Sequence, residues 1–246
     1  MKKKRNVLVH NIISGISLII FIICLIGVVY YSYQIIKWKN SVDDNKKVLD
    51  KVEQNIKKKD DKEVIDFKKL KEINADTVAY IKVNGTNIDY VVVRGKDNSY
   101  YLNHNFEKKY NIAGWIFADY KNKLDGTDKN LVIFGHNMKD GSMFETLKNV
   151  LDKTWPEKKE NHIVTLITED KTYKYQVFST YSINPEIYYI NTEFNNNEFS
   201  KFINVIKSRT NYDYGVEVNS DDKVLTLSSC IGDGSQRVVL HAKMID

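Results

Sequence analysis

VAYIKVNGTNIDYVVV, residues 78–93, decides the fold. Its two arms, 78–83 and 88–93, are rich in β-branched and aromatic residues. They flank Asn84-Gly85, a pair that strongly signals a hairpin. The same texture continues toward the C-terminus, where further strands are expected near 114–118, 130–135, 163–168, 172–183, 223–228 and 237–245. Glu169-Asp170-Lys171 is expected to turn one strand into the next. Two stretches read as helical instead: 142–151, with Phe144, Leu147 and Leu151, and 197–209, with Phe199, Phe202, Ile203 and Ile206 at helical spacing. About eight strands in one region predict a mainly β domain, an antiparallel barrel or sandwich with helices as insertions.

Upstream of residue 73 the pattern changes. Residues 40–72 carry a narrow apolar stripe (Val42, Leu49, Val52, Ile56, Ile65, Phe67 and Leu70) among many charges, which reads as a helical stalk or leading helices. Residues 12–36 hold 25 residues without one formal charge. A helix of that length spans roughly 38 Å, more than a hydrocarbon core of about 30 Å. The run ends Val-Val-Tyr-Tyr-Ser-Tyr rather than in a small-residue cleavage site, which favours an uncleaved signal anchor over a signal peptide. Lys2, Lys3, Lys4 and Arg5 precede it, so the positive-inside rule predicts a cytoplasmic N-terminus and an extracellular domain. Tyr30, Tyr31, Tyr33 and Trp38 fit an aromatic belt at the outer interface. Four segments follow: a basic tail (1–11), an anchor (12–36), a stalk (37–72) and a β-domain (73–246).

Composition narrows the function. The chain has 246 residues, 42% hydrophobic and 28% charged, with 11 Gly and 2 Pro, and so is neither disordered nor low-complexity. The net charge of +5 is concentrated beside the apolar segment: +4 in residues 2–5 and +3 in 37–72, against −2 in 73–246. That distribution points to a membrane surface and away from nucleic acid.

There are 2 Cys. Cys24 lies in the apolar span, so Cys230 is the sole thiol of the β-domain, with no partner there for a disulfide or zinc site. It follows Val-Leu-Thr-Leu-Ser-Ser and precedes Ile-Gly-Asp-Gly-Ser-Gln, a turn, so it stands where a strand gives way to a loop. A buried structural Cys is the competing reading. A thiol nucleophile needs a base or a neighbouring cation. Of the five His, His10 is cytoplasmic, His104 and His162 look like surface loop residues, and His241, mid-strand, looks structural. His136 follows Leu-Val-Ile-Phe-Gly and repeats the arrangement of Cys230, although residue types alone leave it in competition with the other four. Arg237 lies beyond a six-residue turn from Cys230, so a hairpin puts the two on adjacent strands at one end. There an Arg can hold a carbonyl or offset developing negative charge. Asp119, Asp125 and Asp128 lack Ca²⁺-loop spacing and read as solvated loop residues.

Taken together, Thr226-Leu227-Ser228-Ser229-Cys230, Arg237 beyond it and Phe134-Gly135-His136 resemble the signatures of sortases, in which a TLxTC run precedes a strand-borne Arg. The insert at 182–209 and the leading residues 40–72 are most similar to class B. Ser229 stands where the family usually has Thr, and the loop from Cys230 to Arg237 is short for that class.

The resemblance implies an eight-stranded sortase-like barrel and a cysteine transpeptidase requiring no cofactor and no metal. Cys230 would attack the carbonyl after Thr in a C-terminal sorting motif of the NPxTN/G kind. His136 would act as acid then base, and Arg237 would stabilise the tetrahedral intermediate. Asn98, Leu102, Phe134, Tyr189, Ile190 and Ser228 would line the peptide groove. The implied partners are sorting-signal peptides of secreted proteins and an amine of a cell-wall precursor or peptidoglycan. A pilin-polymerising enzyme using a Lys amine, and a non-enzymatic anchored binding module, remain open alternatives.

Overall fold

A computed structural model of the chain describes the backbone of residues 2–59, 62–231 and 234–246, and their side chains except at 2–9, 57–59, 62–63, 196 and 230–231. The chain divides into two compact units, Met1–Asp44 and Asn45–Asp246. The first is helical, the greater part of α1 (Lys2–Glu53). Among the described residues one helix is long and apolar enough to cross a membrane. Its most apolar window has a mean hydropathy of 3.0 and is wholly unburied.

In the second unit the last turns of α1 bury Val48 and Val52. Asn45 Nδ2 donates to the Gly114 carbonyl at 3.3 Å, and Lys51 pairs with Glu107. The expected helical stalk is interrupted here. Strands β1 (Ile56–Lys59) and β2 (Lys62–Ile65) form an antiparallel hairpin before the short helix α2 (Phe67–Ile73). Ile56, Val64 and Ile65 are β-branched, and the like charges at Lys58 and Lys62 would oppose each other on a helix. Asp66 restarts the helix by accepting from Lys69 N at 3.1 Å, and Leu70 anchors it in the core.

The remaining strands are β3 (Thr77–Val83), β4 (Asp89–Val93), β5 (Phe117–Ala118), β6 (Asn130–Gly135), β7 (Ile163–Ile167), β8 (Thr172–Ile183), β9 (Val224–Ile231) and β10 (Gln236–Met244). They close into an eight-stranded barrel in the order β10-β8-β7-β3-β4-β5-β6-β9. The barrel is mixed rather than antiparallel, because β4 pairs with β5, and β6 with β9, in parallel. The 78–93 hairpin is present with a longer connection than a two-residue turn, since Val83 N bonds Ile88 O and Gly85 takes φ 71°. The 142–151 stretch forms a 3-10 turn, Glu145–Leu151, that still buries Leu147 and Val150.

Helix α3 (Asn196–Ser208) lies in the insert between β8 and β9. A capping box starts it: Asn195 Oδ1 accepts from Glu198 N, and Glu198 Oε2 accepts from Asn195 N, both at 2.9 Å. Its apolar face, Phe199, Phe202, Ile203 and Ile206, is buried against Phe178, Tyr181, Tyr189, Val224 and Val239. Each such side chain contributes about 1.5–3 kcal/mol on burial. The insert is thereby fixed to the three strands β8, β9 and β10.

Two polar residues expected in solvent are buried. His162 is 6% exposed, its Nε2 2.7 Å from the Pro156 carbonyl and its ring edge-on to Tyr214. Asp119 is 5% exposed and accepts from Asn98 Nδ2 and from Lys121 N. In both cases a partner fixed by the fold replaces water, which makes burial tolerable.

Candidate active site

Strand β9 runs between β6 and β10, and the register across the three strands organises the site. The parallel pair β6–β9 sets Phe134 against Ser228 and Gly135 against Ser229. His136 follows Gly135 directly, just beyond the end of β6. On the other side of β9, Cys230 pairs directly with Arg237. Gly135, Ser229 and Val238 thus share one row across three neighbouring strands, and His136, Cys230 and Arg237 are the residues next to it. Cys230 lies one residue inside the end of β9 rather than at its tip, and the connection to β10 is correspondingly shorter than the expected turn. The Cys230 side chain lies outside the described residues.

Over this row opens a cleft of about 420 Å³. His136 and Arg237 line it, as do all six of the residues expected along a peptide groove: Asn98, Leu102, Phe134, Tyr189, Ile190 and Ser228. Phe117, Gly135, Pro185, Glu186, Ile187 and Ser229 complete the wall and add to the expected set. Ile187 stands 83% exposed, which the sequence, with Tyr188, Tyr189 and Ile190 directly after it, gives no means of singling out.

His136 is held from two directions. Its Nε2 lies 2.7 Å from the Leu102 carbonyl, and its own carbonyl accepts from Phe144 N at 2.8 Å. A carbonyl can only accept, so Nε2 carries a proton and Nδ1 is the nitrogen left to exchange one. Gly135 permits this arrangement, since a Cβ there would lie 2.5 Å from both Ile116 Cδ1 and Phe144 Cγ. Only a residue without a side chain lets the strand end so close to that packing.

Arg237 is half-buried and donates from Nη1 to the carbonyls of Gly234 (2.7 Å) and Gln236 (3.1 Å). These bonds hold a permanent positive charge on the cleft wall. Phe134 packs against Phe117 with ring centroids 5.2 Å apart, giving the cleft an aromatic floor. Tyr189 is both core and lining. It is 3% exposed within the α3 cluster, and its hydroxyl meets Ser228 Oγ at 3.0 Å. Asn98 faces Asp119 and Tyr120 N, which fix its amide on the opposite wall. Leu102, 44% exposed, presents its side chain at the mouth while its carbonyl holds His136.

The arrangement can hold an extended peptide along an apolar and amide-lined groove. It sets an imidazole and a guanidinium on either side of the backbone of Cys230. It combines a proton carrier with a site for a developing negative charge.

Residues 81–245 match the model of the sortase domain. Sortase B of Listeria monocytogenes is 35% identical over 185 residues, covering 73% of this chain and 74% of its own. The solved sortase B of Clostridium perfringens is 39% identical and superposes with a TM-score of 0.69, over 73% of this chain and 100% of that one. A sortase B complexed with triglycine is 33% identical, with a TM-score of 0.68 over 73% and 85% of the two chains.

Proposed function

Because the chain belongs to the sortase family of transpeptidases, and to its class B branch, we propose that it cleaves a C-terminal sorting motif of the NPxTN/G kind after Thr and transfers the protein to a cell-wall amine. The observation that supports this reading most is that His136, Cys230 and Arg237 each adjoin the row Gly135–Ser229–Val238 shared by β6, β9 and β10.

The reaction proceeds in two halves. The reacting pair is a Cys230 thiolate and a His136 imidazolium that carries the thiol proton on Nδ1. The sulfur attacks the Thr carbonyl carbon, a C–S bond forms, the C=O π bond opens and the oxygen becomes an oxyanion. Arg237 offsets that charge, exchanging one of its turn carbonyls for the oxyanion. As the intermediate collapses the C–N bond breaks, and His136 gives its proton to the departing amine. The thioester left on Cys230 is then attacked by an incoming amine. Its proton passes to His136, and the thiolate leaves.

The acceptor is an amine of a cell-wall precursor. A relative complexed with triglycine supports this, since a glycine peptide carries a free amino group. The apolar helix anchors the chain in the cell membrane as a single span. The cations at residues 2–5 hold the N-terminus in the cytoplasm, so the catalytic domain faces outward.

The test uses the full chain in detergent against a panel of sorting peptides with and without an amine acceptor. The expected result is cleavage after Thr, an acyl adduct on Cys230 by mass spectrometry, and release of that adduct by the amine. Absence of both cleavage and adduct across the panel would overturn the proposal, as would cleavage persisting in Cys230→Ala.

A further inference from the structure

The cleft wall at residues 185–190 belongs to the insert and has no strand to hold it. Beside the packing of Tyr188 and Tyr189 against α3 and the Tyr189–Ser228 hydrogen bond, a chain of polar groups holds it, and its hydrogen bonds can be assigned a direction. Asn130, wholly buried on β6, donates from Nδ2 to the carbonyls of Tyr189 (3.2 Å) and Asn191 (2.8 Å). Its Oδ1 is then the acceptor from Thr226 Oγ1 on β9 at 2.6 Å. With its hydrogen so used, Thr226 Oγ1 must accept from His241 Nδ1 on β10, 2.8 Å away. A neutral His241 protonated on Nδ1 presents Nε2 as an acceptor, and Tyr181 on β8 donates to it at 2.9 Å. Tyr181 in turn accepts from Arg209 Nη1 at 3.3 Å. Arg209 also pairs with Glu186 at 2.6 Å and lies over the Tyr188 ring.

Both ends of this chain therefore grip the same segment. One end takes the Glu186 carboxylate and the Tyr188 ring; the other takes the backbone at Tyr189 and Asn191. Between them it crosses four barrel strands, passing β9 at Thr226. Burial, followed by the nearby Arg209 charge, pushes His241 down to about 3, so it is the neutral ring the assignment requires. Asn130, Thr226 and His241 are each fully buried, where an unmatched donor is costly, so the directions reinforce one another.

We propose that the chain Arg209–Tyr181–His241–Thr226–Asn130 is a clamp that positions the 185–191 wall for the sorting peptide, making these five positioning residues. The proposal rests on the sortase reading for its substrate, though not for the clamp itself.

Three measurements on the full chain in detergent test it. Side-chain nitrogen spectra at pH 7 should show His241 as the neutral Nδ1–H tautomer; an Nε2–H tautomer or an imidazolium would overturn the assignment. Amide hydrogen exchange at 187–191 should quicken by about tenfold in Thr226→Val, as expected for one lost buried bond, while the barrel strands stay unchanged. Thr226→Ser, which keeps the hydroxyl, should restore the slow rate. Tyr181→Phe breaks the same chain at another link, and serves if Thr226→Val does not fold. Unchanged exchange at 187–191 in a broken chain would sink the clamp. KM for the peptide should rise about five- to tenfold with kcat held within about twofold. Quickened exchange with unaltered KM would remove the positioning role. A wild type that cleaves no peptide would count against the sortase reading, and the tautomer and exchange results would still decide the clamp.

Discussion

Cys230 and Arg237 stand directly opposite one another on the antiparallel strands β9 and β10. The pair is one of eight in the β9–β10 ladder, which runs from Gln236 opposite Ile231 to Lys243 opposite Val224. Arg237 is tethered through Gly234 and Gln236 of its own turn, so its contribution to stability is local. Arg237→Ala is expected to lower kcat by about 10²–10³, the usual loss when one donor to a developing oxyanion is removed. Arg237→Lys should recover only part, because an ammonium lacks the planar fork. Steady-state kinetics, with a thermal midpoint moved by only a few degrees, would distinguish this from unfolding.

Leu102 holds one nitrogen of His136, and the proposed mechanism uses the other. His136→Ala is expected to cut kcat/KM by about 10²–10⁴, the span of general acid–base contributions. His136→Gln keeps a donor to the Leu102 carbonyl yet should remain as inactive, because it cannot carry a proton at the second position. Equal activity in the glutamine variant and the wild type would exclude a proton-transfer role.

Gly135→Ala tests the packing behind the site. A Cβ 2.5 Å from Ile116 and Phe144 forces one of the three to shift. Such overpacking costs typically about 1–3 kcal/mol. The displacement falls beside His136, so activity should fall by more than the loss of folded protein accounts for. Urea unfolding compared with specific activity separates the two effects.

Acid should destabilise the fold through His241. Its folded-state value, about 3, lies below the ordinary 6.5, so the unfolded chain binds the proton more readily. The contribution is therefore fully present above pH 6.5 and is withdrawn progressively down to about pH 3. The total is on the order of a few kcal/mol at 1.36 kcal/mol per unit. Partial burial raises the Asp76 carboxyl, but bonds from Tyr101 and Lys108 together outweigh it and leave the group lowered. Asp76 therefore adds a loss of the same sign, confined to lower pH. Denaturant midpoints at pH 7, 5.5 and 4.5 should fall in that order, and His241→Gln should flatten the series.

Phe202→Ala opens a hole where α3 meets Tyr189 and Tyr188. It is expected to cost about 3–5 kcal/mol, with the melting temperature as readout.

Much of this is readable from residue order. Strands β6 and β8 are rich in β-branched and aromatic residues, and both have the bounds expected, 130–135 and 172–183. That Cys230 and Arg237 stand on adjacent strands is expected from the short turn between them, whereas residue types alone leave His136 in competition with the other histidines. What residue order does not convey is pairing. Nothing in residues 130–135 or 224–231 announces that they lie side by side in parallel, and the expected antiparallel barrel fails there. The 56–65 hairpin is hidden because its β-branched residues also fit a helical stripe. Asp119 and His162 look solvated in the sequence because their partners, Asn98 and Pro156, are brought to them only by the fold. The roles of Thr226 and His241 are concealed for the same reason, although both lie within strand-forming stretches.

The seam between β6 and β9 joins residues on the order of ninety positions apart, from Asn130 and Val224 onward. Closing a loop of that length costs about 4 kcal/mol in chain entropy before any contact there repays it. Folding should therefore be slow, and governed by the arrival of β9 and β10. A nascent chain acquires Cys230 and Arg237 only with those two strands. Until they are made it carries His136 and part of the cleft wall without the residues that the proposed chemistry needs beside them.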